Sequence, residues 1–459
     1  MRISLKPFWR REAAGAGWPV PIRPLAEPAP AWHAPAPGLE ADHAAAHYGH
    51  ALKALACRPG EPLALALRVP FCAAHCMFCD RDIHVAQPGD VIGGYVDTLV
   101  EEARLLAASL GGDHDVLQLH LGGGTATELS ESQLVGLVSA LQALWRLPAE
   151  AEMSVECDPR RTSRRHLEVL RGLGFRHVVF GVADLDTAVQ QAIGRRHSQA
   201  LIDDACATAR AAGFERIRLD LLIGLPQQTE AGWRMTLERL IGMALDRIAL
   251  SCYQHRPGHA PSQRGIDGAT LPDAALCGTL WSTSSRVLRD AGYGWIGANH
   301  FVLDDDELAL AQPQGRLRHN LIGYTATPPA PVIGLGAGAL GEIDGSLFWN
   351  HATLPDWYAA LHAQQLPVQR ARLARTHEPR RRLAMDQMLF GLELPAATVR
   401  GGLEEAYGRL ARHAAQGLVR VLDDRIVVTE AGRPVLPMLC AELGLAEGQP
   451  APAMPQWLS

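Results

Sequence analysis

Cys72, Cys76 and Cys79 lie in the run Val69-Pro70-Phe71-Cys72-Ala73-Ala74-His75-Cys76-Met77-Phe78-Cys79, a C-x3-C-x2-C spacing with no fourth cysteine nearby. A structural zinc site takes four ligands, usually as two close pairs, and this run supplies three. Three thiolates suit a [4Fe–4S] cluster instead, which is held by cysteine sulfur and would here keep one iron open for another ligand. The plain alternative is three buried cysteines in an apolar turn. Packing gives no reason for this spacing beside Phe71 and Phe78.

An open iron is what radical S-adenosylmethionine (SAM) chemistry requires: it holds the amino and carboxylate groups of SAM while the cluster passes an electron to the sulfonium. Other segments suit that ligand. Gly122-Gly123-Gly124-Thr125 follows an apolar run and lacks the third glycine of the dinucleotide fingerprint. Adjacent glycines let a backbone approach a ligand, so these are expected, with the Thr125 hydroxyl, to cradle the methionine end of SAM; a tight turn is the competing reading. Glu156 can accept from hydroxyl or ammonium groups. Asp158, before Pro159, reads as a helix N-cap. Asp220 stands in the apolar run Arg218–Pro226, where an unpaired carboxylate is costly; its expected partner is a ligand or Arg195. Arg68, Arg195, Arg196, His255, Arg256 and His300 fall at strand ends or in loops. They are candidates for holding an anionic substrate, arginine being the better fork for carboxylates, although each could be a solvated loop charge.

These residues need a scaffold that gathers strand ends. Apolar runs at 63–69, 115–121, 152–157, 177–182, 216–222 and 247–252 read as strands. Helical patterns fall between them at 91–109, 131–145, 162–173, 198–212 and 229–244. Repeated β-α units imply a parallel sheet with right-handed crossovers. The expected fold is α/β, a partial (βα)6 barrel with a smaller, mostly helical C-terminal domain, and the cysteine loop at the face where loops follow strands. The expected division is an N-terminal extended arm over 1–55, the barrel and its extension over 56–376, a winged-helix-like unit over 377–446 and a flexible tail over 447–459. In that unit, helices at 381–392 and 404–416 precede two short strands turned by Asp423-Asp424. Glu404 and Glu405 make a poor phosphate surface there, which favours a lid over nucleic-acid binding.

The chain has 459 residues, 47% hydrophobic and 20% charged, with net charge −6, a balance that does not suggest nucleic acid as partner. Nine cysteines, an odd number with one tight cluster, fit reduced thiols and a cytoplasmic location better than a disulfide framework. No apolar run approaches a membrane span.

Together these residues resemble the oxygen-independent coproporphyrinogen III oxidases, radical SAM enzymes of haem biosynthesis, from about residue 60 to about 435. The likeness runs through Val69-Pro70-Phe71-Cys72, Leu119 to Thr125, Gly181 to Asp184, Asp220 to Thr229, and Ile296 to Phe301. It continues through Asp304-Asp305-Asp306-Glu307-Leu308-Ala309, Gly323-Tyr324-Thr325 and Gly334 to Leu340. The resemblance implies Cys72, Cys76 and Cys79 as cluster ligands. It implies Gly123, Gly124, Thr125, Glu156, Phe78, Arg195, Asp220 and Leu340 at SAM, of which the family binds a second molecule. The chain departs from the family pattern at Ala66, Arg68, Asp80, Arg81, Ala183, Gln254 and Asn299. Of these, Ala66, Ala183 and Gln254 align with SAM positions, and Arg68, His255, Arg256 and His300 stand as substrate-carboxylate candidates. The implied reaction cleaves SAM to methionine and a 5′-deoxyadenosyl radical, which takes hydrogen from a propionate β-carbon; CO2 and one electron then leave and a vinyl group remains. A reductant such as flavodoxin or ferredoxin, a tetrapyrrole substrate and a monomeric state complete the expectation. The alternatives are a related radical SAM enzyme on another tetrapyrrole or a methyl acceptor, a cluster-bearing haem-binding or delivery protein, and a regulatory module.

Overall fold

The computed structural model describes residues 41–111, 114–374, 378–398, 402–443 and 445. Six strands follow one another as expected: β1 (Leu63–Val69), β2 (Val116–Gly123), β3 (Glu152–Cys157), β4 (His177–Ala183), β5 (Arg216–Ile223) and β6 (Arg247–Cys252). Each pairs in parallel with the next. The order never reverses within this set, whereas a doubly wound sheet has a reversal at its ligand crevice. The strands therefore wind in one direction, as a partial barrel does.

Helices cover the outside: α1 (Ala41–Ala56), α2 (Gly89–Leu110), α3 (Glu131–Leu144), α4 (Arg164–Gly172), α5 (Thr187–Ala192), α6 (Gln199–Ala212), α7 (Glu230–Gly242) and α8 (Ala274–Asp290). Their starts are encoded locally. Ser130 and Gln133 form a reciprocal capping box at α3, and Ser163 and His166 another at α4, each satisfying two otherwise orphaned amides. Their apolar stripes bury Leu134, Leu137 and Leu141 from α3 and Leu167 and Leu170 from α4 in the core around Leu65, Leu119 and Val155.

Two findings extend the expected barrel. The segment 1–55 was expected as an extended arm, but Ala41–Ala56 is a helix whose Ala44, Tyr48, Leu52 and Leu55 are buried in the main core. Residues 1–40 lie outside the described residues. The sheet also continues beyond six strands. After β7 (Tyr293–Ile296), β8 (His300–Leu303) and α9 (Glu307–Ala311) come β9 (Val332–Leu335), β10 (Leu340–Ile343), β11 (Ser346–Asn350), α10 (Leu354–His362) and β12 (Val368–Arg372). β9 pairs in parallel with β1, and the 12-stranded order is β12-β11-β10-β9-β1-β2-β3-β4-β5-β6-β8-β7. The far end of the barrel is closed by charge. Asp306 and Glu307, from the Asp304–Ala309 signature, pair with Arg247 of β6 and Arg216 of β5.

The C-terminal unit holds α11 (Glu378–Asp386), β13 (Glu393–Pro395), α12 (Gly402–Ala415), β14 (Val419–Val421), β15 (Arg425–Val428) and α13 (Leu436–Glu442). The expected hairpin is β14 and β15, but β13 joins it to make three strands. The helix expected over 381–392 ends earlier as an α-helix and closes in a π turn over Gln387–Gly391.

Candidate active site

β1 runs into the cysteine loop. Phe71–Cys72 pairs with His84–Val85, and His84 N–H donates to Pro70 O at 2.7 Å and Ala86 N–H to Cys72 O at 2.9 Å. The loop is thus pinned at both ends. Its middle is tied to the segments that follow β4 and β6: Met77 N–H donates to Ile193 O at 2.9 Å, Gln263 Nε2 to Phe78 O at 3.1 Å, and Ser262 Oγ to Cys79 O. The Phe78 ring packs against Ala183, Val189, Ile193 and Leu225. Phe78 and the three cysteines line one cavity of about 460 Å³.

The adjoining wall is the glycine run at the end of β2, the strand beside β1. The glycines were expected to admit a ligand, but their missing side chains first admit the chain itself. A Cβ on Gly124 would stand 2.4 Å from Phe71 O and 2.8 Å from Val69 O, and one on Gly122 would stand 3.1 Å from Glu156 Cδ. The run brings β2 against the entrance of the cysteine loop, and Gly123, Gly124 and Thr125 then face the cavity.

Glu156, at the end of β3, accepts from Arg81 Nη1 at 2.7 Å, with His120 Nε2 3.6 Å from its other oxygen. Burial opposes ionisation here, but Arg81 and His120 prevail and hold the carboxyl well below the usual carboxylate range. Asp158 was expected as an N-cap; α4 is capped by Ser163 instead. Asp158 receives Arg160 Nη2 at 2.6 Å and Arg195 Nη1 at 3.2 Å, and these guanidiniums keep it ionised against burial. The same two arginines reach Cys76 Sγ, at 3.8 Å from Arg160 and 3.3 Å from Arg195. Arg195 is therefore the partner of Asp158, and Asp220 is held by Arg218 at 2.7 Å.

The expected residues divide clearly. Arg195, Asp220 and Glu156 line the cavity, as do Ala183, Gln254 and Arg256. Leu340 does not; it packs against the C-terminal core. Ala66 also lies outside the lining, in mid-strand between Gly334 and His120. Arg68 is no free cation: it donates to Ala337 O at 2.6 Å and to Asp82 O. His255 bonds the Tyr253 hydroxyl at 2.8 Å. His300 is buried, with Nδ1 2.9 Å from Asn299 Oδ1 and its ring against Tyr324, away from the cavity lining. Arg196 is not part of the lining either. Gln263 and Ser262, which grip the cysteine loop, carry no sequence signal beyond their place in a Pro- and Gly-rich turn.

The donor set fits a cluster better than a single ion. All three cysteines are free thiols. Burial, then the neighbouring thiols Cys79 and Cys76, push Cys72 up to about 12, so cluster assembly would release protons. Among the described residues no three His, Cys, Asp or Glu side chains converge on one metal ion, whereas a cubane spreads its thiolates over separate irons. The buried Arg195 Nε–H lacks an acceptor among the described residues, and a ligand carboxylate would satisfy it.

Comparison with known proteins agrees with this site. The Radical SAM superfamily model matches residues 67–240. Oxygen-independent coproporphyrinogen III oxidase of Pseudomonas aeruginosa is 32% identical over 393 residues, covering 83% of this chain and 85% of that protein. The oxidase of Escherichia coli is 32% identical over 397 residues, covering 85% and 87%. The solved structure of coproporphyrinogen III oxidase from Escherichia coli, described as a radical SAM enzyme, superposes with a TM-score of 0.81 at 31% identity, over 85% of this chain and 92% of that one.

Proposed function

The chain belongs to the oxygen-independent coproporphyrinogen III oxidase family of radical SAM enzymes, and on that premise we propose that it converts propionate side chains of coproporphyrinogen III to vinyl groups. The observation that carries this is the single cavity lined by Cys72, Cys76 and Cys79 together with Gly123, Glu156 and Arg195.

When bound, the cluster and SAM supply the electron and the 5′-deoxyadenosyl radical that hydrogen abstraction requires. The chain's own residues position and shield. We assign Cys72, Cys76 and Cys79 to hold the cluster, with Arg160 and Arg195 directing N–H donors at the Cys76 sulfur. Such hydrogen bonds to sulfur raise a cluster's reduction potential. We assign the Gly123 carbonyl and Glu156 to the amino group of SAM and the Arg195 Nε–H to an anionic ligand group. Phe78 and Ala183 give the cavity an apolar stretch of wall. Arg256 is the lining cation best suited to a propionate, because Arg160 and Arg195 already hold Asp158 and Arg81 holds Glu156.

The one-electron donor is a flavodoxin- or ferredoxin-like protein, the enzyme works as a monomer in the cytoplasm, and SAM binds as one or two molecules. No helix among the described residues is long and apolar enough to cross a membrane. We divide the chain into the barrel, 56–376, with α1 packed on its core, and a C-terminal unit, 377–446, whose core around Leu410, Ile426 and Leu439 also takes in Leu347 of β11.

The test is an anaerobic incubation of the cluster-loaded protein with SAM, dithionite and coproporphyrinogen III, with 5′-deoxyadenosine and protoporphyrinogen IX followed by chromatography. Both products are expected. Deoxyadenosine without decarboxylated porphyrinogen would reject this substrate and keep the radical chemistry.

A further inference from the structure

Glu156 and the Gly123 carbonyl form a convergent pair of acceptors, and one cation of this chain holds both. Arg81 Nη1 lies 2.7 Å from Glu156 Oε2 and 2.7 Å from Gly123 O. A carboxylate and a carbonyl converging on one nitrogen are also what an amino group needs, because it brings several N–H donors on a single atom.

The two sides of this contact differ in mobility. The acceptors are fixed. Glu156 is backed by His120, whose Nδ1 is 2.8 Å from Ser154 Oγ, and Gly122 leaves no spare room beside its carboxyl. The Gly123 carbonyl belongs to β2. Arg81 instead comes from the cysteine loop, two residues past Cys79, and its side chain is 51% exposed. It can swing into solvent without disturbing a strand.

We propose that Arg81 is a displaceable occupant of the SAM amino-group site, so that SAM must expel it from Glu156 and Gly123 in order to bind. This deepens the assignment of Glu156 and Gly123 to SAM and rests on it. The displaced guanidinium stays tethered to the cluster loop, so SAM binding also delivers a free cation to the mouth of the cavity. The penalty on SAM is modest, since solvent screens an ion pair whose cation is half exposed.

The experiment is equilibrium dialysis of SAM, S-adenosylhomocysteine and 5′-methylthioadenosine against cluster-loaded wild type and Arg81→Gln. Freed of its competitor, the variant binds SAM and S-adenosylhomocysteine roughly twofold to fivefold more tightly. Methylthioadenosine lacks the amino-acid end and binds both proteins equally. SAM affinity equal to or below that of wild type overturns the proposal while leaving the SAM site standing. So does an equal gain for methylthioadenosine, which would report general loosening of the cavity. Wild type that binds no SAM overturns the SAM assignment and this inference with it. If Arg81→Gln does not load its cluster, Arg81→Ala, which removes both the charge and the donors, is read by the same criteria and with the same expected gain.

Discussion

Gln263 is 2% exposed and makes two hydrogen bonds that matter to the cysteine loop. Its Nε2 donates to Phe78 O at 3.1 Å and its Oε1 accepts from Arg256 N–H. Gln263→Ala removes both. Each is worth about 1 kcal/mol net, and only the first is a bond to the cysteine loop, so the loop loses about 1 kcal/mol directly. At 1.4 kcal/mol per tenfold, the population of the opened loop rises roughly fivefold, and by up to about 30-fold where the Arg256 bond is also needed to hold Gln263 in place. When reclosing outpaces capture, a trapping reagent reads that open population. The assay is the anaerobic rate of cluster loss to excess chelator, followed by the visible absorbance of the loaded protein. Ser262→Ala, which removes the donor to Cys79 O, should accelerate loss about fivefold by the same reasoning. A Gln263→Ala protein that keeps the wild-type circular dichroism and loses its cluster at the wild-type rate would refute the clamp.

Three further outcomes test other parts of the fold. Asp306→Asn removes a carboxylate that is 1% exposed from Arg247, itself 5% exposed, and should cost about 3 kcal/mol because a buried guanidinium loses its main partner; urea unfolding followed by tryptophan fluorescence checks it. Gly124→Ala drives a Cβ against the Phe71 and Val69 carbonyls and should cost about 3 kcal/mol of overpacking, seen as reduced iron per chain at matched protein concentration. Glu102 accepts from Gly336 N–H, Asn350 Nδ2 and Trp357 Nε1, yet burial pushes its carboxyl up to about 7. The native carboxyl thus holds its proton to higher pH than the unfolded one. Its stabilising contribution is complete below the ordinary carboxylate range and is lost as pH rises to about 7. Glu102→Gln should flatten that slope in unfolding free energy measured against pH.

The six parallel strands were legible because buried strands read as apolar runs. Glu152–Cys157 and Arg247–Cys252 fall where the sequence puts them. The cysteine loop was legible from spacing, since few structures other than a cluster site require it. Helix α1 was missed because its Ala- and His-rich sequence adjoins a Pro-rich stretch and shows little polar contrast. Asp220 was paired with the wrong arginine. Residues two apart on a strand share a face, and that places Arg218 beside it without any loop having to travel. Asp158 looked like a cap from its Pro neighbour, yet Ser163 lies one residue before α4 and takes that role. Gln263 could not be found, because a neutral side chain in a five-residue 3-10 helix gives neither period nor charge. Leu340 rested on family resemblance alone, and its packing against the C-terminal core is a long-range outcome that no local pattern announces.

The most direct test of the account is low-temperature electron paramagnetic resonance of the reconstituted, dithionite-reduced protein, recorded with and without SAM. A reduced [4Fe–4S] signal is expected, with a spectrum that shifts when SAM takes the open iron, and it should be lost in Cys72→Ala, Cys76→Ala and Cys79→Ala. A cluster signal that ignores saturating SAM, or that survives removal of all three cysteines, would contradict it.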